Sequence, residues 1–205
     1  MIKNIIFDLG NVIIRFNKDE FARKFTNKEE EICFIKEKIF DAPEWELLDL
    51  GEITNDEAIE IIKHREDKKY EELIEIFLHE WYKAHVINND IINIAKKLKD
   101  KGYNIYVLSN MAKDTYEYFK DINFFSLCTG IVISAYEHVK KPNEKIFKIL
   151  LDRYDLIPEE CLFIDDDDTN RSYETANKLG IQGRRVNPND AKDIIKLLNE
   201  KKILF

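Results

Sequence analysis

The chain has 205 residues, 44% of them hydrophobic and 12% aromatic, which suits one α/β domain or a core plus a smaller inserted module. A formal net charge of -8 argues against a nucleic-acid partner, and no apolar run is long enough to span a bilayer. No charged-then-apolar leader precedes the first strand, so a cytoplasmic protein is expected. Cys33, Cys128 and Cys161, odd in number and widely spaced, read as buried free thiols.

Ile5, Ile6 and Phe7 form an apolar run too short for a helix and rich in β-formers, so a buried strand opens the chain. Asp8 stands where that strand emerges. Leu9-Gly10-Asn11 reads as a turn, because Gly and Asn tolerate unusual backbone angles. An acid at the carboxyl end of a central strand is a candidate catalytic group; the alternative is an Asp that caps the turn. From Phe16 to Asn88 the apolar spacing turns helical, and no convincing strand interrupts it. Thr54-Asn55-Asp56-Glu57 has the form of a capping box that opens a helix near Asn55. This stretch is expected to be a helical insertion held together by Trp45, Trp81 and Tyr82, with Trp45 also a candidate substrate contact.

A βα rhythm follows. Helix 91–99 leads to strand 104–108, which ends at Ser109-Asn110, and a helix through Thr115, Tyr116 and Phe119 leads to strand 131–133. Pro142 stands at the start of a helix carrying Ile146, Phe147, Ile149 and Leu150. Strand 162–164 runs into Asp165-Asp166-Asp167-Asp168. A helix from Tyr173 to Leu179 ends at Gly180, strand 181–186 follows, and helix 191–199 closes the chain. Strands alternating with helices imply a parallel sheet of about five strands covered on both faces.

Parallel strands put their carboxyl ends on one edge of the sheet. Asp8, Ser109-Asn110, Lys141-Pro142 and the Asp run would then converge. Two like charges ~4 Å apart repel by about 4 kcal/mol at an effective dielectric near 20. A hard divalent ion held by carboxylate oxygens removes that repulsion, and Mg2+ is the usual choice beside phosphates. A carboxylate can also act as nucleophile toward a phosphoryl group, with Ser109 and Lys141 compensating charge on the equatorial oxygens. Each piece has an ordinary alternative: Ser-Asn as turn chemistry, Lys-Pro as helix punctuation, four Asp as a solvated loop.

The ordered set resembles the haloacid dehalogenase (HAD) superfamily, in the subgroup whose first motif reads D-L-G-N-V, here Asp8-Leu9-Gly10-Asn11-Val12. Leu108-Ser109-Asn110, Lys141-Pro142 with Ile146-Phe147, and Phe163-Ile164-Asp165-Asp166 with Asn170 are similar to its later motifs. Gly51-Glu52-Ile53-Thr54 resembles a recurring turn of C1-type caps. The resemblance implies a Rossmann-like HAD core over residues 1–15 and 89–205 and a helical cap over residues 16–88. It further implies that Asp8 is the nucleophile, that Asp8, the Gly10 carbonyl, Asp165 and Asp166 bind Mg2+, that Ser109 and Asn110 hold phosphate, and that Lys141 neutralises it. Related members are similar to sugar-phosphate phosphatases, so the expected partner is a small phosphorylated metabolite and the expected form a monomer or weak dimer.

Three departures from the family pattern stand out. Most phosphatases of the superfamily carry a second Asp two positions after the nucleophile, as general acid and base; this chain has Gly10. Position 138 is His, a candidate to enter the site or to lie on an exposed loop, and position 169 is Thr where many relatives place an acid, with Asp168 beside it. Arg15 is a candidate for a substrate group or for a surface salt bridge, and the loops around Asp41 to Glu52 are candidates to set specificity. The alternatives to a phosphatase are a 2-haloacid dehalogenase and a catalytically weakened protein that binds a phosphorylated ligand.

Overall fold

The structure is a computed structural model that describes residues 1–166 and 169–204; Asp167 and Asp168 of the acidic run lie outside it. Strand β1, Asn4–Phe7, is buried at every position, as a strand must be when both faces of its sheet are covered. A two-residue strand β2, Ile14–Arg15, pairs antiparallel with β3, Val86–Ile87. The main sheet adds β4, Asn104–Ser109, β5, Gly130–Ile133, β6, Cys161–Asp165, and β7, Gln182–Arg185. Its order is β5-β4-β1-β6-β7, and every pair is parallel. β1 is therefore central, with Phe7 beside Val107 of β4 and Ile164 of β6.

Alternation along the strands builds two cores. Ile5, Phe7, Ile105, Val107, Leu162 and Ile164 face the helices Asn89–Asp100 and Ala191–Glu200. Ile6, Tyr106, Leu108, Val132 and Phe163 face Ile146, Phe147 and Leu150 of the helix Glu144–Arg153.

Residues 18–80 fold as helices Lys18–Phe25, Glu29–Phe34, Pro43–Asp49, Asn55–Arg65 and Glu71–Glu80, with a π turn at Ile35–Phe40. These helices bury a third cluster that includes Phe21, Ile35, Phe40, Ile59, Phe77 and Trp81. Thr54 caps its helix reciprocally with Glu57. Trp45 and Trp81 meet edge to face at 4.7 Å between ring centroids.

Three local expectations change. The β2–β3 ribbon falls partly inside the stretch read as strand-free; two residues per strand are too few to leave a periodic signal. Pro142 precedes the helix instead of opening it, because Asn143 takes the cap and accepts from Lys145 N–H at 2.9 Å. The first turn forms as read from Leu9-Gly10-Asn11, with Asn11 in the left-handed region at φ +51°. Cys33 is exposed, whereas Cys161 is buried and Cys128 half-buried; all three are free. Among the described residues no helix is long and apolar enough to cross a membrane.

Phe77 has no exposure and sits at the centre of the helical cluster. Phe77→Ala is expected to lower stability by about 3–5 kcal/mol, read as a lower urea midpoint. An unchanged midpoint would mean that this cluster does not stabilise the fold.

Candidate active site

The central strand ends where the chain switches from building one side of the sheet to building the other, which opens a crevice at the carboxyl edge. Asp8 follows β1 directly, and its N–H donates to the Ile164 carbonyl at 3.0 Å. Beyond it the chain turns tightly: Leu9 O accepts from Val12, Ile13 and Ile14 N–H at 3.2, 2.9 and 2.8 Å. Asn11 secures the turn, its Oδ1 accepting from Phe16 N–H at 2.8 Å. Ser109 ends β4 and is buried, and Asp165 ends β6 with no exposure at all.

Lys141 comes in from the loop between β5 and the helix Glu144–Arg153. Its Nζ lies 2.9 Å from Asp8 Oδ1 and 2.7 Å from Asp165 Oδ2. Asn110 locks that loop: its Nδ2 donates to Lys141 O at 3.0 Å and its Oδ1 accepts from Lys141 N–H at 2.8 Å. The Asn110 side chain therefore positions Lys141.

One ammonium between two carboxylates leaves an excess of negative charge in a buried place, and Asp166 adds to it. One oxygen from each of Asp8, Asp165 and Asp166 lies within 4.8 Å of the others. Burial pushes Asp8 up to about 6, with Lys141 pulling down and Asp165 pushing further up. Burial also lifts Asp166 to about 7, with Asp8 and Asp165 adding to the rise. Burial works to lower the Lys141 ammonium, but Asp165 and Asp8 outweigh it and its shift is upward. Asp8 Oδ1 is held in the ion pair with Lys141. Three carboxylates that can each offer an oxygen within 4.8 Å of the others are a set of hard donors that fits a divalent cation.

Asp8, Ser109, Lys141 and Asp166 form the floor of a cavity of about 590 Å³, which is the size of a small-molecule site, with Asp165 buried beneath them. Gly10, Asn110, Thr169 and Asn170 line it as well. The helical segment supplies a second wall: Phe16, Trp45, Trp81 and His85, with Leu48 and Asp49 beside them. Trp45 thus packs between helices and faces the cavity. Trp45, Leu48 and Asp49 bring the stretch Asp41 to Glu52, a candidate to set specificity, to the cavity. Arg185, His85 and Lys18 reach it without having been singled out in the sequence. Arg185 stands at a strand end, a signal that was available; the other two have none, because they arrive through the packing of the helices. Arg15 pairs with Glu20 and is not among the lining residues. His138 is exposed, and its Nδ1 donates to the Leu50 carbonyl at 3.0 Å, away from the carboxylates.

Asp166 illustrates the pH dependence. Its folded value of about 7 lies above the ordinary 3.8, so the folded chain holds that proton more tightly than the unfolded one. The stability this contributes is complete below about pH 4 and is lost as pH rises through about 7. In a chelated buffer, Asp166→Asn should be more stable than wild type at pH 8, with the gain fading toward pH 4. Thermal unfolding across that range checks the sign; a loss of stability at pH 8 would contradict it.

Comparison with known proteins places this geometry. A family model for haloacid dehalogenase-like hydrolases matches residues 2–171. No curated protein matches the sequence. Among solved structures, a predicted HAD-like family hydrolase from Porphyromonas gingivalis is 24% identical over 97% of this chain and 98% of its own, with a TM-score of 0.76. A HAD family enzyme from Bacteroides thetaiotaomicron, in complex with magnesium and inorganic phosphate, is 22% identical over 93% and 96%, with a TM-score of 0.74. The L-2-haloacid dehalogenase of Xanthobacter autotrophicus, with chloropropionic acid covalently bound, is 14% identical over 100% and 85%, with a TM-score of 0.65. At these identities the likenesses speak for the fold, and it is the family match across most of the length that assigns the chain: it belongs to the haloacid dehalogenase-like hydrolases.

Proposed function

We propose that the protein is a Mg2+-dependent phosphatase that hydrolyses a small phosphorylated metabolite, a sugar phosphate, through an aspartyl-phosphate on Asp8. The observation that carries this reading is the cluster of three carboxylates, with buried Asp8 and Asp165 flanking the Lys141 ammonium and half-buried Asp166 beside them. The complex of the Bacteroides thetaiotaomicron enzyme with magnesium and inorganic phosphate supports it. Asp8, Asp165 and Asp166 would hold Mg2+, with the Gly10 carbonyl as a further donor. When bound, the ion offsets the negative charge of the acids and of the phosphate.

Asp8 attacks phosphorus from the end of β1. Lys141 and the Ser109 hydroxyl hold the equatorial oxygens, together with the Asn110 main chain. Fixing Lys141 through Asn110 and Asp165 keeps its charge in place, so little reorganisation is needed when the reaction occurs. We read residues 16–88 as a cap on a core of residues 1–15 and 89–205. Its aromatic wall of Phe16, Trp45 and Trp81 offers C–H-rich ring faces a surface to stack on, which supports a sugar as the remainder of the substrate.

A dehalogenase needs an attacking carboxylate but not two further acids beside it, so the acidic cluster favours phosphate. Phosphate release from a panel of sugar phosphates should require Mg2+ and stop on chelation. Asp8→Asn should lower the rate by ~10⁴-fold or more. Unchanged activity in that variant, or turnover of a 2-haloacid in the presence of chelator, would overturn the reading.

A further inference from the structure

Breaking a P–O bond to a poor leaving group releases an oxyanion unless a proton reaches the departing oxygen. Gly10 has no side chain to bring one, and a Cβ placed there would meet nothing within 4 Å, so the space beside it is open. The cavity's own titratable groups narrow the donor. Asp8 is the nucleophile, and Asp165 and Asp166 face the cation position. Lys141 is bound between two acids. Lys18 is paired with Asp41, and the Arg185 guanidinium does not give up a proton in this range.

His85 is also excluded. Burial lowers it to about 4, so its ring is neutral near pH 7. Its Nδ1 carries the proton to the Tyr82 carbonyl at 2.7 Å, which leaves Nε2 as an acceptor. Asp49 remains.

Asp49 is the last residue of the helix Pro43–Asp49 and lines the cavity. Its main chain is fastened to the sheet side of the molecule. Ser134 Oγ donates to the Asp49 carbonyl at 2.5 Å and accepts from Met111 N–H, in the loop after β4, at 3.0 Å. His138 holds the next carbonyl, that of Leu50. Gly51 follows at φ +65°, so close to the core that a Cβ would lie 2.1 Å from the Ala135 carbonyl oxygen. The backbone that carries the Asp49 side chain is thereby fixed against residues around the ends of β4 and β5, the strands that also frame Ser109 and Lys141, and Asp49 lines the cavity they share.

We propose that Asp49 is the general acid and base of this hydrolase, delivered by the helical segment in place of a side chain at position 10. This rests on the phosphatase reading. As Asp8 Oδ bonds to phosphorus and the bond to the leaving oxygen breaks, the Asp49 carboxyl passes its proton to that oxygen, and an alcohol departs. The Asp49 carboxylate then takes a proton from the water that attacks the aspartyl-phosphate. The bond between phosphorus and Asp8 breaks, orthophosphate leaves, and Asp49 is again the acid.

The electrostatics suit the role. Burial lifts the Asp49 carboxyl to about 7. Lys140, from the loop after β5, pulls it down, while Glu46 on its own helix and Asp8 push it up. Lys140 is itself paired with Glu46 at 3.1 Å. The group therefore holds a proton near neutral pH and can release it, as an acid–base residue must.

The test compares single turnovers of 4-nitrophenyl phosphate, whose leaving group needs no proton, with those of phenyl phosphate, whose leaving group does. In Asp49→Asn the loss on phenyl phosphate should be ~10²–10⁴-fold and at least tenfold larger than on 4-nitrophenyl phosphate. The wild-type rate is expected to decline above about pH 7; that decline should disappear in this variant, phosphorylated Asp8 should accumulate, and Asp49→Glu should recover part of the rate. Equal losses on both esters, or a retained alkaline decline, would overturn the role of Asp49 and leave the phosphatase reading intact. Wild-type protein that releases phosphate from neither ester, and shows no phosphorylated Asp8, would overturn both.

Discussion

Lys141 holds this structure's chemistry together. Its ammonium is nearly inaccessible and lies within 3 Å of carboxylates from the ends of two different strands. Neither acid could be buried where it is without that cation, and the cation could not be buried without the acids. Yet one positive charge does not balance two negative ones with Asp166 beside them. Burial keeps Asp8 and Asp166 above the ordinary carboxylate range, and the neighbouring acids add to the rise. The site is built with a deficit of positive charge, which is what a place for a divalent cation requires.

The deficit is possible because the sheet is rigid around it. β1 is hydrogen-bonded on both sides and buried on both faces, so Asp8 inherits its position from the most constrained strand in the molecule. Asn110 ties the Lys141 backbone to the end of β4. The aromatic wall across the cavity belongs to a separate apolar cluster with its own core. Two cores of different origin thus contribute two kinds of surface to one cavity: charged and oxygen-rich from the strand ends, aromatic from the helices. Ser134 and His138 join them where the segment around Asp49 and Leu50 meets the loop after β5.

Much of this was legible from the residues in order. Short apolar runs rich in β-formers mark the strands, a period near 3.6 marks the helices, and the alternation of the two implies a parallel sheet with aligned ends. Asp8, Ser109, Lys141 and Asp165 stand out because each follows an apolar run, a local property. The β2–β3 ribbon left no such mark, since two residues per strand carry no period. Pro142 was placed inside its helix because the choice between Pro142 and Asn143 as the boundary turns on one side-chain hydrogen bond. The commitment of the Asn110 carboxamide to Lys141 crosses 31 positions of the chain, beyond the reach of any pattern.

The sequence by itself determined the strand-and-helix rhythm and the residues at the strand ends, because both follow from nearest-neighbour stereochemistry and from the alternation of apolar and polar side chains. Tertiary structure alone decided which wall the helical segment presents to the carboxylates. Asp49, Trp81 and His85 reach the cavity only through the way the helices pack and through contacts between residues far apart in the chain. The acidity of Asp8, Asp49 and Asp166 was decided there too, since it depends on burial and on which charges lie nearby, and both are properties of the folded arrangement.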